Sequence, residues 1–140
     1  MRKVFGALLL AYVAAACNDS TSPGDGVLTG RYALRTANAN AVPTVAISDN
    51  SGEYALLAGS VTLRTDNSFI DSLNFRFTPP SGPVQSGWDV RTGSYVQAGD
   101  NVTLTYFDQD VGDFRDYFLT WINGNGLTYA EQGLSLIYRK

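Results

Sequence analysis

Tyr54–Thr78, reading YALLAGSVTLRTDNSFIDSLNFRFT, decides the fold. Thr65-Asp66-Asn67-Ser68 in its middle is a tight turn signal. Asp and Asn side chains hydrogen-bond their own backbone, and Asn tolerates the positive φ that two-residue hairpin turns require. After the turn Phe69, Leu73, Phe75 and Phe77 share one parity. Side chains alternate along an extended chain, so these four bury a single face. The stretch is predicted to be an antiparallel hairpin of strands Tyr54–Arg64 and Ser68–Thr78.

Outward from this hairpin the same grammar of strand, turn, strand repeats. Upstream, Leu28–Ala37 places Gly30, Tyr32 and Leu34 on one face and Arg31 and Arg35 on the other. Downstream, Ser86–Gln97 turns at Ala98-Gly99-Asp100 into Asn101–Phe107, where Val102, Leu104 and Tyr106 alternate with Thr103 and Thr105. Asp113–Ile122 is apolar on both faces, with Tyr117, Phe118, Leu119 and Trp121. Asn123-Gly124-Asn125-Gly126 then leads to Leu127–Ala130, and Glu131-Gln132-Gly133 to Leu134–Arg139. Fourteen Gly and five Pro, with few helix formers, agree with an all-β chain. Eight hairpin-connected strands point to an antiparallel up-and-down barrel, because closure removes both exposed edges. A two-sheet β-sandwich is the alternative. Trp88 and Tyr95 have opposite parity, so one of them faces out unless a bulge intervenes.

Connection lengths give the barrel two different ends. Turns at Asp66-Asn67, Gly99-Asp100 and Gly124-Asn125 are tight and fall at one end in a meander. Asn38–Glu53, Pro79–Gly87 and Asp108–Gly112 are longer and fall at the other. The barrel is therefore expected to have a closed end, where the chain enters, and an open mouth. Tyr54, Phe77, Trp88, Tyr106 and Phe114 lie at strand ends beside the long loops and are the candidate lining of an apolar pocket there. An eight-stranded barrel is only just wide enough for its own side chains, so a filled interior stands as the competing reading.

Met1–Cys17 supplies the address. Arg2 and Lys3 precede Val4–Ala16, an apolar run of thirteen residues that is too short for a transmembrane helix of ~20 and fits a signal-peptide core. Ala14-Ala15-Ala16-Cys17 resembles the bacterial lipobox, with Ala14 where Leu is usual. That resemblance implies cleavage before Cys17 and thioether attachment of a diacylglyceryl group to its sulfur. Cys17 is the chain's single cysteine and so has no disulfide partner within it. A plain secretory leader is the competing reading. Cys17–Val27 is polar and Gly/Pro-rich, a flexible tether. Asn18 rather than Asp after the cysteine favours the outer membrane under the enteric sorting rule. The expected organisation is thus a signal peptide over 1–16, a lipidated tether over 17–27 and a β-barrel over 28–140. The expected place is the bacterial cell envelope, facing the periplasm or the cell surface.

Composition removes whole classes of chemistry. The chain carries 10 Lys+Arg and 13 Asp+Glu; without Arg2 and Lys3 the balance is eight against thirteen. Such an acidic domain lacks the basic footprint of a nucleic-acid binder. There is no histidine, and Lys140 is the only lysine after the leader, which leaves no histidine-based triad and hardly a Ser-Lys pair. The expectation is a non-enzyme without cofactor or metal. Asp108, Asp110 and Asp113, with Asp116 close by, form an acidic hairpin that has oxygen ligands for Ca²⁺ but lacks EF-hand spacing; a solvated turn is the simpler reading.

Gly30-Arg31-Tyr32, Asn38–Pro43, Gly59–Phe69, Gly93-Ser94-Tyr95 with Asp100–Leu104, and the ending Tyr138-Arg139 together resemble the short bacterial lipocalin-like domains over Gly30–Lys140. The resemblance implies a barrel that binds a small hydrophobic ligand, with Asn38–Glu53 as a lid over the mouth. It also implies a closed-end pair in which Arg139 stacks on Tyr32, in place of the usual Trp. A second function follows from the same scaffold: non-catalytic binding of another envelope protein through the long loops.

Overall fold

The computed structural model describes residues 26–140. The expected signal peptide, Cys17 and the expected tether up to Asp25 lie outside the described residues. Ten strands are present: β1 (Gly30–Ala37), β2 (Asn40–Ala41), β3 (Thr44–Asp49), β4 (Gly52–Leu63), β5 (Ser68–Thr78), β6 (Gln85–Ala98), β7 (Asn101–Asp108), β8 (Asp113–Ile122), β9 (Gly126–Glu131) and β10 (Leu134–Arg139). Successive strands from β4 to β10 pair antiparallel, β10 pairs with β1, and β1 returns to β4. Those eight strands make a closed up-and-down barrel, and the described residues form one sheet and no sandwich.

The fold-deciding hairpin forms as its turn chemistry requires. The Asp66 carboxylate accepts the Ser68 N–H at 3.0 Å and the Ser68 hydroxyl at 2.6 Å, while Asn67 takes φ +63°. The β4–β5 ladder then runs from Leu63↔Phe69 up to Glu53↔Thr78, with one irregularity at Leu56/Ala58. Inward residues Tyr32, Val61, Leu63, Phe69, Leu104, Leu127 and Leu136 are all but inaccessible to solvent and fill the lower half of the barrel. Each such Leu or Phe contributes several kcal/mol through burial and close packing.

The first long connection differs from the expectation. Asn38–Glu53 is not an irregular loop: most of it is strand, with β2 pairing β1 and β3 pairing the outer half of β4. Ala46 is buried in the core and Val42 packs against it. The twelve-residue β4 is long enough for two partners on one edge, β1 along Ser60–Leu63 and β3 along Gly52–Leu56. Asp49 closes the β3–β4 turn by accepting the Ser51 N–H at 2.7 Å, and Gly52 takes φ +134°. TVAISD is short, Ala-containing and preceded by Pro43, which is why its alternation is faint in the sequence.

The tight turns gather at one end, as parity implies. Tyr95 donates from its hydroxyl to Arg64 O at 2.8 Å, Trp121 N–H to Asp100 O at 2.7 Å and Lys140 N–H to Asn125 O at 3.0 Å. Leu28 is buried beneath them, its carbonyl accepting the Tyr32 hydroxyl at 2.5 Å. The chain therefore enters the barrel at the closed end.

The cation over Tyr32 is Lys140, not Arg139 as the resemblance implies. Lys140 Nζ stands 5.1 Å from the ring centroid and also donates to Val27 O. Arg139 pairs with Ala33 and Gly126 on the outer face, and its guanidinium donates to Asn125 Oδ1 at 3.3 Å. The alternation starting from inward Tyr138 explains the exchange. Lys140→Gln is accordingly expected to cost ~0.5–1 kcal/mol, an exposed cation–π contact, and Arg139→Gln less. Urea unfolding of the two variants checks the order; a larger loss at Arg139 would restore the implied pair.

Candidate functional site

The open half of the barrel is built around one polar position on an apolar strand face. On β5 the inward series is Phe69, Asp71, Leu73, Phe75 and Phe77, and Asp71 is only 2% exposed. It lies opposite Val61 of β4 and Arg91 of β6. The Arg91 guanidinium does not close on it. Nη2 instead binds Asp89 Oδ2 at 2.7 Å, two residues along the same inward face. There it stands 5.2 Å from the Tyr106 ring centre and 5.9 Å from that of Tyr117. Burial opposes the charge on Arg91, but Asp89, Tyr106 and Asp71 more than offset it, so the guanidinium stays charged.

Two buried polar atoms in this region have no partner among the described residues. Asp71 Oδ1 makes no hydrogen bond, and neither does the hydroxyl of Tyr138, which is fully buried on β10. The Tyr138 hydroxyl lies near that of Tyr117 without completing a bond to it. Burial pushes the Asp71 carboxyl up to about 6, with Arg91 pulling the other way and Asp89 adding to the rise. Burial likewise drives the phenols of Tyr117 and Tyr138 well above their ordinary range. Aromatic walls stand around them: Tyr117 stacks on Tyr129 at 4.5 Å, and Tyr54 on Phe75 at 5.5 Å. An orphaned buried acceptor costs ~1–3 kcal/mol, so this arrangement suits an occupant that donates a hydrogen bond.

Access follows from a split in the wall. The β6–β7 ladder runs only from Ala98↔Asn101 to Gly93↔Tyr106. Beyond Gly93 the two strands part, leaving a cleft of about 370 Å³ lined by Asp89, Val90, Arg91, Tyr106, Phe107 and Asp108 among others. Arg91 stands in that cleft, between solvent and Asp71.

Of the five aromatics expected at the mouth, the structure brings three to the inner face. Tyr54 and Phe77 are cross-strand partners, and Tyr106 carries Arg91. Trp88 and Phe114 are placed elsewhere. Trp88 pairs with outward Asn74 and is 59% exposed; Phe114 packs edge-on against Phe107 at 5.3 Å on the outside and is 67% exposed. No register shift interrupts β5–β6, so the opposite parity of Trp88 and Tyr95 resolves with Tyr95 in and Trp88 out. The inner face of the open half thus carries Asp71, Asp89 and Arg91 among its aromatics.

Asp108 and Asp113 make their contacts within the acidic hairpin. Asp108 accepts the N–H groups of Asp110 and Val111 at 3.0 and 3.3 Å and pairs with Arg115 at 3.0 Å; Asp113 accepts the Phe114 N–H at 2.7 Å. Among the described residues no three acidic, histidine or cysteine side chains converge as a metal site.

The residues that the sequence does not mark as candidate site residues are Asp71, Arg91, Tyr117, Tyr129 and Tyr138. A signal was there for two of them: Asp71 interrupts the Phe69–Leu73–Phe75–Phe77 series, and Arg91 shares the parity of Tyr95. Comparison with protein-family models, curated proteins and solved structures found no match.

Proposed function

We propose that the protein is a non-catalytic, lipid-anchored binding module of the bacterial cell envelope, held through Cys17 and akin to the short lipocalin-like barrels. Its ligand is a small molecule with a flat apolar body and one hydrogen-bond-donating group. The body lies among Tyr54, Phe75, Tyr106, Tyr117 and Tyr129, and the donor reaches Asp71. The observation that carries this reading is the pair of orphaned buried polar atoms, Asp71 Oδ1 and Tyr138 Oη, behind the split in the wall. An anchored domain needs about two acyl signals for stable membrane attachment, which a lipobox-type modification supplies. Chain entry at the closed end supports a mouth directed away from that membrane.

A dansyl fluorophore bearing a primary amine tests the site. It is expected to bind and brighten, more strongly above pH 6 than below as Asp71 ionises, while its carboxylate counterpart binds poorly. Asp71→Asn or Tyr138→Phe is expected to weaken the amine dye about tenfold, the value of one buried hydrogen bond. Equal binding of both dyes, unaltered by either substitution, would leave the second reading. That reading is a scaffold whose barrel is filled by its own side chains, and the plug formed by Arg91 favours it. Intact mass of the membrane-extracted protein tests the anchor: Cys17 is expected to be the first residue and to carry acyl mass.

A further inference from the structure

The split beside Arg91 also leaves a strand edge with no partner among the described residues. From Gln85 to Thr92, β6 is paired with β5 on one side, Phe77↔Gln85 to Ile70↔Thr92, and among the described residues with nothing on the β7 side. In an antiparallel ladder alternate residues aim their N–H and C=O groups at a given edge, so about four residues of this stretch present unused groups to the cleft. Proteins usually blunt such an edge with Lys, Pro or a bulge. This one carries Trp88 and Val90 on its outward face, both more than half exposed. Across the cleft stand Phe107 and Phe114, with Val111 beyond, all exposed as well. An apolar surface of this kind beside open backbone is the footprint of strand addition.

Charge selects the occupant. Exposed Asp110, Asp113 and Asp116 border the aromatic patch on the β7–β8 side, and Arg115 is already paired with Asp108. Arg76 on β5, beside Ser86, is the exposed cation on the opposite side. A second copy of this chain would set acid against acid. A bilayer of anionic lipid would meet the same repulsion, and the edge lies toward the mouth, away from the end where the chain enters. We propose that β6 is a docking edge for an extended segment of another protein that alternates basic and apolar residues. Its backbone pairs with Gln85–Thr92, its apolar side chains lie against Trp88, Val90 and Phe107, and its basic ones meet the acidic hairpin. This site borders the same cleft, but it rests on the strand edge and does not depend on the ligand reading.

The probe is a nine-residue peptide alternating lysine and valine, added to the full-length lipoprotein in detergent micelles. Hydrogen exchange is expected to slow at least tenfold at the alternate amides of Gln85–Thr92 that face the open edge, and binding to weaken as salt rises. A peptide with a central proline, or with glutamate in place of lysine, is expected to bind at least tenfold more weakly. Val90→Lys, at a residue 57% exposed, is expected to lose tenfold in affinity with no change in melting temperature. Three results overturn the proposal: no protection at the edge, equal affinity for the proline peptide, or protection of the same amides by phosphatidylglycerol vesicles or by self-association instead of the peptide.

Discussion

Gly93→Ala is expected to destabilise the barrel by about 3 kcal/mol, the upper range for overpacking a rigid site. Gly93 is the last rung of the β6–β7 ladder and, on its other side, faces Phe69 of β5. A Cβ placed there would lie 2.0 Å from Thr105 O and 3.0 Å from Phe69 Cε1. The first of these is backbone inside a ladder and cannot move without breaking pairs. The second is a ring packed in the core. Relief would have to come from pushing β6 away from β7, which extends the split down the wall. For a domain of this size the loss corresponds to a fall in melting temperature of roughly 10 °C. Gly99→Ala is the control. Gly99 sits at φ +61° with nothing within 4 Å of an added Cβ, so only backbone strain of about 1 kcal/mol applies. Thermal melts that rank the two variants in the reverse order would show that the close approach of β6 to β7 is not what holds this wall.

Asp71→Asn is expected to stabilise the ligand-free protein at alkaline pH and to do nothing at acid pH. The Asp71 carboxyl titrates near 6 in the folded protein against an ordinary 3.8, chiefly because it is buried. A raised folded-state value means the folded protein holds the proton more tightly than the unfolded chain does. The resulting stability is full below about pH 3.8 and is lost progressively until pH passes 6. A shift of this size corresponds to roughly 3 kcal/mol between the two limits. Asn cannot ionise and escapes the loss, so the gain at pH 8 is expected to be about 1–3 kcal/mol, less whatever its amide leaves unpaired. Asp49 and Asp66 work in the opposite direction. Their carboxylates are held below the ordinary value by Ser51 and Ser68, so their contribution is present above about pH 3.8 and lost as pH falls through the lowered values. The wild-type chain should therefore be most stable near pH 4 and lose stability steadily from there to about pH 6. Urea unfolding at pH 4.5 and pH 8 measures both statements. An Asn variant weaker than wild type at pH 8 would mean that Arg91 holds the Asp71 charge in place and that burial is not the dominant cause.

Legibility in the sequence tracked the scale of the signal. Alternation over long strands, Phe69 to Phe77 or Val102 to Tyr106, together with Asn-Gly and Asp-Asn turns, specified the eight staves and the end at which the chain enters. The β3 strand escaped because six residues with one buried Ala carry almost no alternation. The site was only partly legible, since the chain alone places residues on strands but not on faces when two strands stop pairing. Trp88 was expected inside because it stands near a loop; the unbroken β5–β6 register turns it out. Asp71 went unread because an apolar series was counted by its apolar members. The exchange of Lys140 for Arg139 is a single-residue matter of strand parity at the chain's last turn, finer than a loose resemblance can resolve.

One consequence of the ring concerns its assembly. Its closing seam joins Ala33 to Arg139 and Ala37 to Leu136, a separation of about a hundred residues, whereas every other seam except β1–β4 joins neighbours in sequence. Hairpins can zip locally in microseconds, but this last join must wait for nearly the whole chain to be laid down. Folding should be slow for the protein's size, in the millisecond-to-second range, with the seam formed late. Weakening β1 against β10 should then speed unfolding far more than it slows folding.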